Sequence, residues 1–137
     1  KGYWMIQRSW QPGDTVSCEM EMEPERVYAH PMVRADAGCV ALRRGPIIYT
    51  FEGVDNGEDL QTLRIPREAK IEVLPYQADL LEGIVALRVT GCRKKAAVNL
   101  ALYAEDAAPE EMVTLQAIPY YAWCNRGMTH MRVWMQE

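Results

Sequence analysis

Short runs in which apolar and polar residues alternate recur along the chain and predict β-strands. The clearest run spans residues 15–23, where the even positions from Val16 to Met22 are apolar and the odd positions from Ser17 to Glu23 are polar. A period of two over this length is typical of a half-buried strand in an antiparallel sheet. The carboxylates of Glu19, Glu21 and Glu23 are therefore expected to form a solvated strand face.

Similar patterns, most of them next to a Pro or Gly, predict about ten strands in all. The further predicted strands are residues 3–10, 26–30, 39–43, 47–52, 60–65, 71–74, 84–90, 97–103, 112–117 and 129–135. Residues 39–43 and 47–52 flank the turn Arg44-Gly45-Pro46 and predict a hairpin. Residues 53–59 and 91–95 are expected to be surface turns. Residues 104–111 contain Pro109 and allow at most one helical turn.

Many short strands with almost no helix predict an all-β fold, an antiparallel β-sandwich of the jelly-roll kind. A seam is expected near residues 31–38. On this interpretation residues 1–35 are the carboxy-terminal strands of a preceding β-sandwich domain, and residues 36–137 form an accessory β-sandwich. The last strand, 129–135, is a candidate to return to the first sheet. Because Lys1 leads directly into strand-like sequence, we interpret the chain as a piece of a longer protein.

Composition narrows the range of partners. Of 137 residues, 49% are hydrophobic and 25% charged, with a net charge of −4, as expected for a globular domain without a basic face. Nucleic acid is therefore not expected as a partner. No apolar run approaches the roughly 18 residues of a membrane span, so no membrane association is predicted. The four cysteines form no Cys-x-x-Cys pair, which favours reduced thiols and a cytoplasmic location.

The candidate binding residues lie in one stretch, residues 118–127, which contains Tyr120, Tyr121, Trp123 and Arg126. Exposed rings leave large apolar faces in water, so this stretch must pack on its own domain, contact another domain or hold a ligand. One hypothesis is a structural corner or interdomain contact. It predicts that Trp123 and at least one tyrosine are mostly buried, with Arg126 capping carbonyls or lying over a ring. The alternative is a carbohydrate-binding module in which the three rings stack on sugars.

The sequence contains no Gly-rich phosphate loop, serine nucleophile elbow, His-Glu metal motif or P-loop. Cys124 has no neighbouring base in the sequence, and His30 and His130 are isolated. We therefore predict no catalytic residue, no cofactor-binding residue and no metal ligand in this chain.

Several segments, in order, resemble the carboxy-terminal region of glycoside hydrolase family 127, the β-L-arabinofuranosidase group. They are residues 27–31 (VYAHP), 40–49 (VALRRGPIIY), 52–56 (EGVDN), 118–123 (IPYYAW), 125–127 (NRG) and 131–134 (MRVW). The resemblance covers nearly the whole chain. Cys124 stands where a small residue such as Ala is expected, which suggests a packed position.

The resemblance implies a parent enzyme with an amino-terminal (α/α)-barrel catalytic domain followed by two β-sandwiches. In such enzymes the cysteine nucleophile, its zinc-binding Cys/Glu cluster and the glutamate acid/base belong to the barrel. Cys18, Cys39, Cys92 and Cys124 do not match them. The resemblance therefore implies a non-catalytic accessory domain that braces its own catalytic barrel and contributes to homodimer contacts. Zinc is expected only in the catalytic domain.

Overall fold

The computed structural model describes residues 2–95, 102–103 and 105–137. Its nine strands are β1 (Pro24–Val27), β2 (Cys39–Arg44), β3 (Ile47–Glu52), β4 (Leu63–Arg64), β5 (Ile71–Val73), β6 (Leu87–Lys94), β7 (Glu110–Pro119), β8 (Met131–Arg132) and β9 (Met135–Gln136). One helical turn, α1 (Gly53–Asn56), follows β3, and 3₁₀ turns cover Arg34–Asp36, Leu60–Thr62 and Tyr120–Ala122. The predicted all-β class is confirmed.

The strands pair in the order β1-β2-β9-β4-β6-β7-β3-β8, with β5 added to β6. An extra pairing of β2 with β3 joins two distant members of this order, so six strands form a closed ring of hydrogen-bonded neighbours. The β4–β9 pair is parallel, and the other strand pairs are antiparallel. Closing the ring leaves fewer strand edges open to other chains.

The two best-defined strand pairs follow from the sequence. The predicted hairpin of β2 and β3 is confirmed, with Arg44 opposite Ile47. Gly45 in its turn has a φ of +57°, a conformation that glycine adopts without steric cost. β6 and β7 pair over eight residues, from Leu87 opposite Ala117 to Lys94 opposite Glu110.

The main core lies inside this ring. Its largest side chains are Tyr49 and Phe51 of β3, which are fully buried, and burying such a ring contributes about 1.5–3 kcal/mol. Val40 and Leu42 of β2, the other strand of the hairpin, are also buried. A second, smaller cluster consists of Leu74, Ile84, Ala86, Ile118 and Ala122, with Leu80 and Leu81 packed against it.

The strands predicted at residues 3–10 and 15–23 are wrong for this structure. Residues 2–23 form no strand, although Asp14 N donates to Gln11 O at 3.0 Å in the turn between them. A strand needs a neighbour for its backbone hydrogen bonds, and none of the nine described strands pairs with this segment. Most of its large apolar side chains are exposed, including Trp4, Trp10 and Met20.

Other element boundaries also differ from the prediction. Residues 91–94 continue strand β6 and are not a turn, because their backbone pairs with β7. The strand predicted at residues 129–135 is divided into β8 and β9. β8 pairs with β3, and β9 pairs with β2 and β4. The strand predicted at 97–103 lies almost wholly outside the described residues, and residues 105–109 contain no helix.

The amino-terminal strand β1 pairs with β2 over four residues, from Pro24 opposite Arg44 to Val27 opposite Ala41. Arg26 of β1 also donates to the backbone oxygens of Pro66 and Ala69 at 2.8 and 3.0 Å. Residues 24–27 thus belong to the same sheet as β2. The domain boundary near residues 31–38 stays a prediction.

None of the described helices is long and apolar enough to cross a membrane. All four cysteines are free thiols. Cys39 and Cys92 are buried, whereas Cys18 and Cys124 are exposed, so the packed position expected for Cys124 is wrong for this structure.

Candidate functional site

The aromatic stretch, residues 118–127, leaves the sheet at the end of β7. Its first residues are anchored by strand pairing, with Pro119 opposite Tyr49 and Ile118 opposite Thr50. The chain then makes the 3₁₀ turn Tyr120–Ala122, whose Ala122 is buried in the smaller core cluster. The hydroxyl of Tyr49, which lies opposite Pro119, donates a hydrogen bond to Val85 O at 2.8 Å. Burial raises the pKa of this phenol. The start of the stretch is therefore held by strand pairing and by burial of Ala122.

Arg126 fixes the far end of the stretch through two carboxylates. Its guanidinium donates to Asp55 Oδ1 at 2.8 Å, to Asp55 Oδ2 at 2.5 Å and to Glu52 Oε2 at 2.5 Å. The Glu52 side chain is 1% exposed, that of Asp55 14% and that of Arg126 20%. Hydrogen bonds to Asp55 raise the pKa of Arg126, against the lowering effect of its burial, and Glu52 adds to the increase. We call these three residues the Arg126 cluster.

Glu52 also holds the backbone of the aromatic stretch. Its Oε1 accepts a hydrogen bond from the Cys124 backbone N–H at 2.7 Å. Cys124 has a φ of +64°, a region that residues with a side chain seldom occupy. The buried carboxylate therefore holds both the backbone turn at Cys124 and the side chain of Arg126, and it connects the aromatic stretch to the end of β3.

The helical turn α1 is held against β7 by a buried amide. Asn56 Nδ2 donates to the backbone oxygens of Glu52 and Gln116, both at 2.9 Å, and its Oδ1 accepts from Gln116 N at 2.9 Å. The Asn56 amide thereby uses both its donor and its acceptor groups. Residues 53–59 were predicted to be a polar surface turn; instead they contain α1, whose Gly53 and Asn56 are buried.

The aromatic side chains differ in burial. Trp123 is partly buried, but Tyr120 is 45% and Tyr121 66% exposed. The prediction that one tyrosine is mostly buried is therefore wrong for this structure, because the 3₁₀ turn directs only Ala122 into the core. Arg126 neither caps carbonyls nor lies over a ring; it binds the two carboxylates, because a guanidinium matches carboxylate geometry better.

A depression with a volume of about 550 Å³ lies beside Tyr121. Its walls come from two loops, and the residues that line it are Leu81, Glu82, Tyr121, Ala122 and Asn125. Of the four residues named as binding candidates from sequence, only Tyr121 lines it. Trp123 and Tyr120 belong to the same stretch, and Arg126 lies in the cluster that supports it.

The sequence analysis did not identify Glu52 and Asp55 as hydrogen-bond partners of the stretch, or Glu82 as a residue that lines the depression. Nothing in local spacing connects Glu52 to Arg126, since 74 positions separate them. The available signal was the resemblance, since residues 52–56 and 125–127 were both among its motifs. Within the described part of the chain, no three His, Cys, Asp or Glu side chains are grouped so as to hold a metal ion.

The chain is similar to a known protein family and to one characterised enzyme. The model of the glycoside hydrolase family 127 C-terminal domain matches residues 24–136. The non-reducing end β-L-arabinofuranosidase of Bifidobacterium longum subsp. longum is 37% identical over an alignment of 132 residues, and the alignment covers 91% of this chain and 20% of that protein.

Two solved structures share the fold. A GH127 β-L-arabinofuranosidase from Geobacillus stearothermophilus T6 is 48% identical with a TM-score of 0.81, over 85% of this chain and 18% of that one. A second GH127 β-arabinofuranosidase is 33% identical with a TM-score of 0.71, over 84% of this chain and 17% of that one. The chain thus spans about a fifth of the length of these relatives. Because the family model matches most of its residues, the chain belongs to the glycoside hydrolase family 127 C-terminal domain family.

Proposed function

We propose that this chain is a non-catalytic accessory domain of a larger glycoside hydrolase similar to the β-L-arabinofuranosidases, and that it supports the catalytic domain. One observation carries the proposal: the chain matches the carboxy-terminal domain of the family over residues 24–136 and covers only 18–20% of relatives named for this activity. The zinc-dependent catalysis implied by the family resemblance would then reside in the other four fifths.

The buried acids of the chain support a structural role. A catalytic carboxylate needs access to substrate and a proton to exchange. Glu52 is enclosed and accepts hydrogen bonds from Arg126 and from the Cys124 backbone. Asp55 is bound by both terminal nitrogens of the same guanidinium. Both acids therefore serve to hold the aromatic stretch against β3.

The surface that meets the catalytic part is proposed to be residues 2–23. Its exposed large side chains include Tyr3, Trp4, Met5, Trp10 and Met20. A large amount of exposed apolar surface within one short segment is typical of a contact site. The period-two alternation of residues 15–23 would allow strand pairing with a neighbouring sheet, which would bury its apolar face. We propose that residues 2–23 contact the part of the same protein that precedes them in the sequence.

The first experiment measures hydrolysis of an aryl β-L-arabinofuranoside by the purified 137-residue protein. We expect no turnover above the uncatalysed rate. Measurable turnover that survives removal of contaminants would refute the non-catalytic assignment.

A second experiment tests the supporting role. The remaining part of the protein is purified without these residues, and its thermal unfolding is followed with and without the 137-residue chain added in trans. We expect the midpoint to rise on addition, because binding to the folded state stabilises it. The double variant Trp4→Ala/Trp10→Ala should reduce the rise, whereas Met128→Ala, an exposed apolar change outside the segment, should preserve it. An unchanged midpoint with the wild-type chain would contradict the proposed contact.

A further inference from the structure

We propose that the depression beside Tyr121 is a binding site for a neutral carbohydrate. The site goes beyond the accessory role, and its test does not depend on contact with a catalytic domain. The volume of about 550 Å³ lies within the usual range for small-molecule sites. It suits one or two sugar rings in an open depression.

The side chains that line the depression have the chemistry that recognises sugars. Tyr121 is 66% exposed, so its ring can lie against the C–H face of a sugar. Asn125 uses its Nδ2 to donate to Ala122 O at 3.2 Å, and its Oδ1 has no protein partner among the described residues. The Glu82 carboxylate likewise makes no hydrogen bond or ion pair to any described residue. Both oxygens can accept hydrogen bonds from sugar hydroxyls.

The backbone around the depression is held in an unusual conformation. Leu81, Glu82 and Cys124 have φ values of 51°, 63° and 64°, and they are the non-glycine residues with positive φ in the described chain. Such conformations cost energy, persist where the surroundings enforce them and cluster at binding sites. Here two of the three line the depression, and the third precedes Asn125.

Hydrogen bonds hold both walls of the depression. The turn at Leu81 and Glu82 is closed by a hydrogen bond from Gly83 N to Leu80 O at 2.9 Å. The opposite wall is held by Glu52 at the Cys124 backbone and by Arg126. Two of the lining residues also belong to the packing of the smaller core cluster: Ala122 is a buried member of it, and Leu81 packs against it. The backbone segments that carry Tyr121, Asn125 and Glu82 are thus held before a ligand arrives, which lowers the entropic cost of binding.

The test is a titration of the isotope-labelled 137-residue protein followed by nuclear magnetic resonance. The probe is an arabino-oligosaccharide, chosen for the activity named for the relatives, at millimolar concentrations. L-Arabinitol, which carries hydroxyls but no ring, is the matched control ligand. We expect saturable shifts of backbone amides at residues 81–83 and 121–125 with the oligosaccharide and much weaker shifts with the polyol.

Two tyrosine variants supply the protein control. Tyr121→Ala should weaken binding about tenfold or more, because the stacking surface is lost. Tyr120→Ala removes an exposed ring from the same 3₁₀ turn that does not line the depression, and it should bind within about twofold of the wild type. Unchanged spectra away from the loops would show that both variants fold. The absence of saturable shifts, or equal binding by Tyr121→Ala, would overturn the proposal.

Discussion

Replacing Arg126 with alanine removes the cation that neutralises two enclosed carboxylates. Asp55, at 14% side-chain exposure, can regain some water, but Glu52, at 1%, cannot. In this variant the Glu52 carboxylate would keep one of its hydrogen-bond donors, the backbone N–H of Cys124, and would lose the guanidinium. A buried charge that loses its partner is strongly unfavourable, so the folded state should be destabilised.

The expected loss is about 3 kcal/mol, the lower end of the range for breaking a buried ion pair, because Arg126 and Asp55 are partly solvated. With a urea dependence of about 2 kcal/mol per molar, this shifts the unfolding midpoint down by about 1.5 M. Arg43→Ala is the matched control. Its pair with Glu25 has side chains 46% and 55% exposed, so its loss should cost about 0–1 kcal/mol.

Urea unfolding followed by circular dichroism measures both variants, and a third tests the cause. In the double variant Arg126→Ala/Glu52→Gln the orphaned charge is gone, while an amide oxygen can still accept from Cys124 N. This protein should be more stable than Arg126→Ala alone. The electrostatic reasoning fails if Arg126→Ala unfolds within about 1 kcal/mol of the wild type, or if adding Glu52→Gln restores nothing.

Three further predictions concern other parts of the structure. Gly91→Ala should cost about 1–3 kcal/mol in urea unfolding, because a Cβ would lie 2.8 Å from Arg64 O and closer still to the Leu115 side chain; Gly2→Ala, with nothing within 4 Å, should change stability by less than about 0.5 kcal/mol, and equal effects would contradict the packing argument. Asn56→Asp should cost about 1–3 kcal/mol because it turns a carboxylate oxygen toward two backbone oxygens; the same change at exposed Asn125 should cost less, and the reverse order would count against the buried amide. Glu137→Gln tests the pH dependence of stability. Hydrogen bonds from Tyr28 and then Arg67 lower the pKa of Glu137 in the folded state from its ordinary value of 4.5. The stability that the Glu137 carboxylate contributes is therefore present above pH 4.5 and is lost as the pH falls through the lower folded-state pKa. The stability gap between wild type and Glu137→Gln should therefore close on acidification, and a constant gap down to about pH 3 would refute this.

The local features of the fold were predictable from sequence. The hairpin of β2 and β3 combines alternating apolar residues with a Gly-Pro turn, and both signals lie within one short segment. The buried positions of β6, Leu87 and Val89, followed from the same alternation. Such predictions succeed because the period of two depends only on which face of a strand meets the core.

Features set by distant parts of the chain were not predictable in this way. The alternation of residues 15–23 describes a surface that could be half-buried, but strand formation also needs a partner, and no described strand supplies one. Residues 91–94 are rich in basic side chains and look like a turn, yet pairing with β7 makes them a strand. The Arg126 cluster depends on three-dimensional proximity. The sequence shows the motifs at residues 52–56 and 125–127, but it does not show that they are in contact.

The closed ring of strands also has a consequence for folding. The hairpin of β2 and β3 can form early, because only a short turn separates its strands. Closing the ring requires residues 39–40 to meet residues 135–136, which lie far along the sequence. Contacts this distant bear a large entropic cost before they contribute, and proteins rich in them fold slowly. Until β9 inserts, β2 and β4 present open edges that could pair with other chains. A two-residue strand would then be the last step in folding and a main protection against aggregation.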